Sequence, residues 1–161
     1  MKKLGLIILS VILMSCNTNA QDKKKSTIYP VSKTDAEWKT ELDNIEYYVL
    51  RKAGTEQAFS SELNKVYKKG TYACAACGAA LFRSDYKYDS GSGWPSFDRE
   101  IKGSVNFSKE DNNRYTGTEE HCANCGGHLG HVFDDGPKST GKRHCINGAA
   151  LDFMPIEIKN E

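Results

Sequence analysis

What this chain has little of narrows its class first. Net charge is close to zero: 22 Lys and Arg stand against 21 Asp and Glu, a formal +1. Nothing in that balance points to a nucleic-acid surface, and no nucleic-acid partner is expected. Apolar runs of bilayer length are missing too. The run at residues 4–14 is well short of the roughly 20 residues that a membrane-spanning helix needs. No internal repeat is visible beyond two similar cysteine turns, which sets aside repeat architectures. Hydrophobic residues fill 39% and charged residues 27% of 161 positions, ordinary values for one soluble globular domain.

The short apolar run has another reading. Lys2 and Lys3 precede it, which makes a secretory signal pattern. It ends in Leu13-Met14-Ser15-Cys16, which resembles the lipobox of bacterial lipoproteins. That resemblance implies cleavage before Cys16 and a lipid anchor on that cysteine. The alternatives are an ordinary signal peptide cut near Ala20, or a signal-peptide cysteine that is discarded. We therefore expect a signal peptide over residues 1–15 and a lipid-anchored linker over 16–32. The mature protein is expected to be exported and membrane-anchored, facing the periplasm or the cell exterior. Loss of Lys2 and Lys3 takes the basic count from 22 to 20 against 21 acids, a mature charge of about −1. Lys23-Lys24-Lys25 in the linker reads as a solvated run.

Residues 33–159 are expected to form the folded domain. Thr34-Asp35-Ala36-Glu37 has capping-box spacing. It predicts a short helix through Leu42, with Trp38 and Leu42 on one face and Trp38 in the core. Asp43 or Asn44 caps a second helix with apolar positions Ile45, Tyr48 and Val49 and a stop at Gly54. Helical periodicity then disappears, and from Tyr72 the chain is β-like. Val105-Asn106-Phe107-Ser108 and Arg114-Tyr115-Thr116-Gly117-Thr118 flank the polar Asp111-Asn112-Asn113, which predicts a hairpin. Residues 130–133, 143–147 and 149–153 are further strand candidates, and 138–142 is a loop. The expected class is mainly β: a small antiparallel domain with short N-terminal helices.

Cys74-Ala75-Ala76-Cys77-Gly78 and Cys122-Ala123-Asn124-Cys125-Gly126 are near copies. In each, two sulfurs sit on a tight turn, and the glycine lets backbone amides point back at them. Brought together, Cys74, Cys77, Cys122 and Cys125 make a closed tetrahedral thiolate site suited to one structural zinc ion. In an oxidising compartment the same four cysteines make two disulfides, the competing reading. A redox Cys-x-x-Cys pair wants a helix N-terminus to lower its thiol pKa, and neither pair is followed by a convincing helix. Cys145 is left over, inside Arg143-His144-Cys145-Ile146-Asn147.

Gly93-Trp94-Pro95-Ser96-Phe97, Gly126-Gly127-His128-Leu129-Gly130-His131-Val132-Phe133 and Arg143-His144-Cys145-Ile146-Asn147 occur in this order. With Gly54-Thr55-Glu56 and the four paired cysteines, they resemble the B-type methionine sulfoxide reductases, over roughly residues 32–158. These enzymes reduce the R epimer of methionine sulfoxide in proteins, a repair of oxidative damage. The resemblance implies two antiparallel β-sheets, with a zinc site at the end away from the active site. It implies Cys145 as nucleophile, His131 as the group that protonates the sulfoxide oxygen, and Trp94 as the wall for the substrate methyl. His128, Asp135, Arg143 and Asn147 match residues that line and polarise the site, and Phe97 is carried with the Trp94 turn as substrate-binding.

The chemistry agrees with those types. A sulfoxide sulfur is a poor electrophile until its oxygen is protonated or hydrogen-bonded, so a thiolate and an acid are both needed. A cation such as Arg143 helps ionise a cysteine. His128 and His131, three apart on a strand, face opposite sides unless Gly130 bends the chain. His144 is given no role. One position departs from the family: many members carry a second cysteine just before the Gly-Trp-Pro turn, where this chain has Ser92. Serine cannot attack the Cys145 sulfenic acid, so the expected reductant is external, a thioredoxin-like protein or a small thiol. Oxidised proteins are the expected substrates, and a monomer the expected working unit. The competing class is a zinc-stabilised β binding module, in which Cys145 is only a buried small residue.

Overall fold

A computed structural model describes residues 28–108 and 117–156. The signal peptide, Cys16, most of the linker and the Asp111-Asn112-Asn113 turn lie outside the described residues.

Both helices begin where the capping chemistry places them. Helix α1 spans Asp35–Glu41, and the Thr34 hydroxyl and Glu37 carboxylate cap each other's backbone amides. Helix α2 spans Asn44–Lys52, capped at Asp43 with Glu46 returning the bond. It stops at Ala53, in the left-handed region at φ 51°, one residue before the expected glycine. Trp38 is buried as expected. The expected stripe on α2 is rotated, however: Val49 and Leu50 are buried, whereas Ile45 and Tyr48 are 43% and 50% exposed. The Tyr48 ring lies over Gly54, where a Cβ would strike it.

Nine strands follow among the described residues: β1 Gly70–Cys74, β2 Ala80–Arg83, β3 Lys87–Tyr88, β4 Ser96–Phe97, β5 Val105–Ser108, β6 Thr118–Cys122, β7 His128–Phe133, β8 Arg143–Ile146 and β9 Leu151–Pro155. They form two antiparallel sheets, ordered β2-β1-β9 and β3-β4-β8-β7-β6-β5. This is the mainly β, two-sheet class expected. The hairpin partner of β5 is β6, which begins at Thr118 where the sequence placed the end of that strand; residues 114–116 lie outside the described residues. The last strand starts two residues later than predicted, because Gly148–Ala150 is a single 3-10 turn.

Tyr72, Leu81, Phe82, Phe97, Leu129 and Ile146 are fully buried and belong to the core. Phe82 stacks on Phe97 at 4.3 Å, and Tyr72 meets Phe97 edge-on at 5.0 Å. Directly opposed residues of antiparallel strands project to the same face. Pairing in the larger sheet therefore lines up one row across five strands: Tyr88 with Ser96, Ser96 with Cys145, Cys145 with His131, and His131 with Glu119. The neighbouring row contains Phe97 and His144, which are buried and belong to the other face. This register decides what can reach Cys145.

Candidate active site

Alternation along β8 turns Arg143 and Cys145 one way and buries His144 and Ile146 on the other. Cys145 lines a cavity of about 120 Å³ together with Thr55, Trp94, Gly130, His131, Phe133 and Asn147. That volume is below the roughly 300–1,000 Å³ of whole-ligand pockets, so the cavity admits the end of one side chain. Strands β7 and β8 approach closely here, since a Cβ at Gly130 would run into the Cys145 carbonyl oxygen.

Burial pushes the Cys145 thiol pKa up, while the Ser92 hydroxyl, 3.7 Å from Sγ, and the Arg143 guanidinium pull it back. The expected help from Arg143 is present, but burial outweighs it. Arg143 donates two bonds to Asp135, at 2.8 and 2.9 Å, and its guanidinium lies 4.4 Å from the Phe133 ring centre. Asp135 lines a second, polar cavity of about 460 Å³, with Tyr88, Asp89, Ser90, Ser92 and Arg143. The carboxylate thus holds Arg143 at the polar cavity, whose lining does not include Trp94.

The two histidines are brought together, but not into one cavity. Their ring centres are 5.5 Å apart, with His131 lining the cavity and His128 buried. The pairing of β6 with β7 shifts register at Glu120/His121, which accommodates this. Glu119, unremarked in the sequence, holds His128 Nδ1 at 2.8 Å and accepts a second bond from Ser108 at 2.8 Å. The His128 hydrogen bond brings the Glu119 carboxyl down to about 2. His128 Nε2 is buried without a hydrogen-bond partner among the described residues.

Asn147 and Glu56 fasten the N-terminal loop to the site. Asn147 Nδ2 donates to the Leu129 carbonyl at 3.0 Å, and its Oδ1 accepts from the Glu56 amide at 3.0 Å. The Trp94 Nε1–H donates to the Glu56 carbonyl at 3.2 Å, fixing the indole as one wall. The Glu56 carboxylate, 6% exposed as a residue, accepts from the amides of Gly148 and Ala149 at 2.6 and 2.8 Å. The sequence signal for Glu56 was its place in the Gly54-Thr55-Glu56 motif of the resemblance; no periodicity points to it.

Phe97 does not join them. It is fully buried between Tyr72 and Phe82, on the core face, so it supports β4 from beneath and does not line the cavity at Cys145. His144 is also on that face, 2.5 Å from the buried Glu120 carboxylate and edge-on to Phe82. Burial raises the Glu120 pKa, against the pull of His144.

The four paired cysteines converge on the core side of the sheets. Their sulfurs all lie within 4.8 Å of one another, with Cys74–Cys125 at 3.7 Å and Cys77–Cys122 at 3.6 Å. A tetrahedral zinc with sulfurs at about 2.3 Å has sulfur–sulfur edges of about 3.8 Å, so the spacing fits a metal and is too long for two disulfides. Gly78 and Gly126 both take the left-handed conformation, at φ 69° and 71°, so the two turns are copies in structure as in sequence. The amides of Ala79 and Asn124 point at the sulfurs of Cys77 and Cys122. Hydrogen bonds among the sulfurs draw those two toward thiolate and hold Cys74 and Cys125 as thiols. A divalent cation would ionise the remaining pair. None of the four lines the cavity at Cys145.

Comparison with known proteins bears on this geometry. The chain matches the SelR domain over residues 42–155. It is 56% identical over 127 residues to a protein of Leptospira interrogans named peptide methionine sulfoxide reductase MsrB, covering 78% of this chain and 97% of that one. Proteins of the same name from Leifsonia xyli and Agrobacterium fabrum are 51% and 47% identical over 129 and 127 residues, covering 79% and 78% of this chain and 93% and 94% of theirs. The chain belongs to the SelR-domain family and is a B-type methionine sulfoxide reductase.

Proposed function

We propose that this SelR-domain protein reduces methionine-R-sulfoxide in proteins to methionine, with Cys145 as the nucleophile. The observation that carries the reading is the pairing of Cys145 with His131 in adjacent strands, at a cavity walled by Trp94 and sized for a side-chain end.

The roles follow from position. The Cys145 thiolate attacks the sulfoxide sulfur, and His131, directly opposite in the sheet, supplies the proton that the oxygen needs to leave that sulfur. Glu119 and His128 back the His131 ring. The Trp94 face receives the S-methyl group, a sulfur–aromatic contact worth about 0.3–1.5 kcal/mol. Arg143 offsets part of the burial cost of the thiolate, and Asn147 holds the Glu56 loop, to which the Trp94 indole is bonded, against β7. Net, the oxygen moves from the substrate sulfur to Cys145. Substrate sulfur gains two electrons, and the thiol becomes a sulfenic acid. An external thiol then attacks Cys145 Sγ, water leaves, and a second thiol releases the mixed disulfide and restores Cys145. Ser92 stands beside Cys145 and offers no thiol for this step.

Zinc in the cysteine quartet is a structural part of the reading, supported by the sulfur spacing. The signal pattern and Cys16 support an exported lipoprotein facing the periplasm or exterior. No helix among the described residues is long and apolar enough to cross a membrane. In this reading the anchor is the lipid on Cys16, and Cys16→Ala should release the protein from the membrane fraction. A monomer is the working unit in this reading.

The test is turnover of separated R and S epimers with zinc measured on the same sample. R-epimer reduction is expected, and it vanishes in Cys145→Ser while fold and zinc content are kept. Activity persisting in that variant would sink the reading, and a folded, zinc-loaded but inactive wild type would favour the binding module.

A further inference from the structure

Two cavities flank Cys145, and only one has a use in the reaction above. The apolar one takes the substrate. The polar one, of about 460 Å³, is lined by Tyr88, Ser90, Ser92, Asp135 and Arg143 among others. Cys145 touches it through Ser92, whose hydroxyl is 3.7 Å from Sγ.

Tyr88 is the unexplained group in that cavity. It stands in the same row as Cys145, separated from it by Ser96 alone. That intervening residue is small and buried, 1% exposed. Ser96 Oγ is also turned to its own neighbours, Ser90 Oγ at 2.7 Å and the Trp94 carbonyl at 3.1 Å. The Tyr88 hydroxyl is buried, yet it has no hydrogen-bond partner among the described residues. A buried hydroxyl left unpaired is costly. Its electrostatic neighbours include Arg143, Asp135 and Cys145, and burial raises its pKa, so it remains a protonated donor.

The reaction creates an acceptor where none stood before. After one turnover Cys145 carries an oxygen, and with Ser92 in place of a resolving thiol that sulfenic acid must persist until an external thiol arrives. We propose that the Tyr88 hydroxyl donates a hydrogen bond to the oxygen of the Cys145 sulfenic acid, with Ser92 completing the site, and so holds the intermediate until a thiol attacks Sγ. The inference rests on the sulfenic acid cycle proposed above. No atom is gained or lost in the holding step. When the thiol attacks, the new S–S bond forms, the S–O bond breaks, and the oxygen leaves as water with the thiol's proton.

The test uses Tyr88→Phe in the full chain. The substitution removes a hydroxyl with no hydrogen-bond partner among the described residues, so thermal unfolding should match wild type. Each protein is given one equivalent of methionine-R-sulfoxide without reductant, and methionine yield is measured. Excess hydrogen peroxide is then added, and conversion of sulfenic to sulfinic acid is followed by intact mass. Methionine formation should be unchanged, and sulfinic acid should form about two- to tenfold faster in the variant, the range one neutral hydrogen bond supports. Equal rates of sulfinic acid formation would overturn the proposal, as would slower methionine formation, which would put the hydroxyl in the first step. Absence of any sulfenic acid in the wild type, with or without methionine, would overturn the underlying cycle instead, so the two failures are distinguishable.

Discussion

Ser92 Oγ lies 3.7 Å from Cys145 Sγ. The side chain occupies the position of a partner thiol without the chemistry of one. Ser92→Cys should therefore place a second sulfur within easy reach of the sulfenic acid, since two cysteines so close need little backbone adjustment to bridge. After one turnover without reductant, both thiols should disappear together and an intramolecular disulfide should appear in the peptide map. The wild type under the same conditions should show none. An internal disulfide to Cys145 in the wild type would end the external-reductant cycle.

The Cys145 thiol is raised by burial more than Arg143 and Ser92 lower it. A raised thiol pKa leaves less thiolate at neutral pH, and below that pKa the thiolate fraction rises roughly tenfold per pH unit. Alkylation of Cys145 by iodoacetamide should accordingly climb through pH 7 to 9 without a plateau. Arg143→Ala removes a cation that favours the thiolate, so its curve should move to higher pH. A plateau already at pH 7, or an unmoved curve in the variant, would contradict this balance.

How much of this was legible in the sequence varies with the physics. Helix starts were, because Thr34–Glu37 and Asp43–Glu46 are local capping pairs. The metal turns were, because duplicated Cys-x-x-Cys-Gly spacing fixes geometry within five residues. Phe97 was placed at the substrate because it is near Trp94 in the chain, yet strand alternation turns it into the core. Glu119 and Tyr88 carry no periodic or motif signal, and Glu56 was legible only as part of Gly54-Thr55-Glu56, with no role attached. Their places depend on cross-strand register, which is set by long-range pairing.

Glu56 tests that long-range part directly. Its carboxylate holds two backbone amides, and its own amide and carbonyl hold Asn147 and Trp94. Charge-assisted hydrogen bonds are worth roughly 1.5–3 kcal/mol each, and both amides lose their partner in Glu56→Ala. Denaturant unfolding should show a loss of about 3 kcal/mol or more, and kcat/KM should fall as the Trp94 wall loosens. A loss below about 1 kcal/mol would mean that water replaces the carboxylate freely.

The cysteine quartet poses the last question: whether it supports the site or only the fold. Cys77 on the first turn and Cys122 on the second are 45 residues apart in sequence. Closing a loop of about that length is worth roughly 4 kcal/mol of chain entropy, by the arithmetic used for a covalent crosslink. Zinc analysis should give one ion per chain. Its removal, or Cys122→Ser, should lower the unfolding midpoint by about 10 °C or more for a domain of this size. The quartet contributes no residue to the cavity at Cys145. At a temperature where the metal-free chain is still folded by circular dichroism, a single turnover should therefore proceed within about threefold of the loaded rate. A folded but inactive metal-free chain would show that the quartet positions the Cys145 site; an unmoved midpoint would show that the metal is not structural at all.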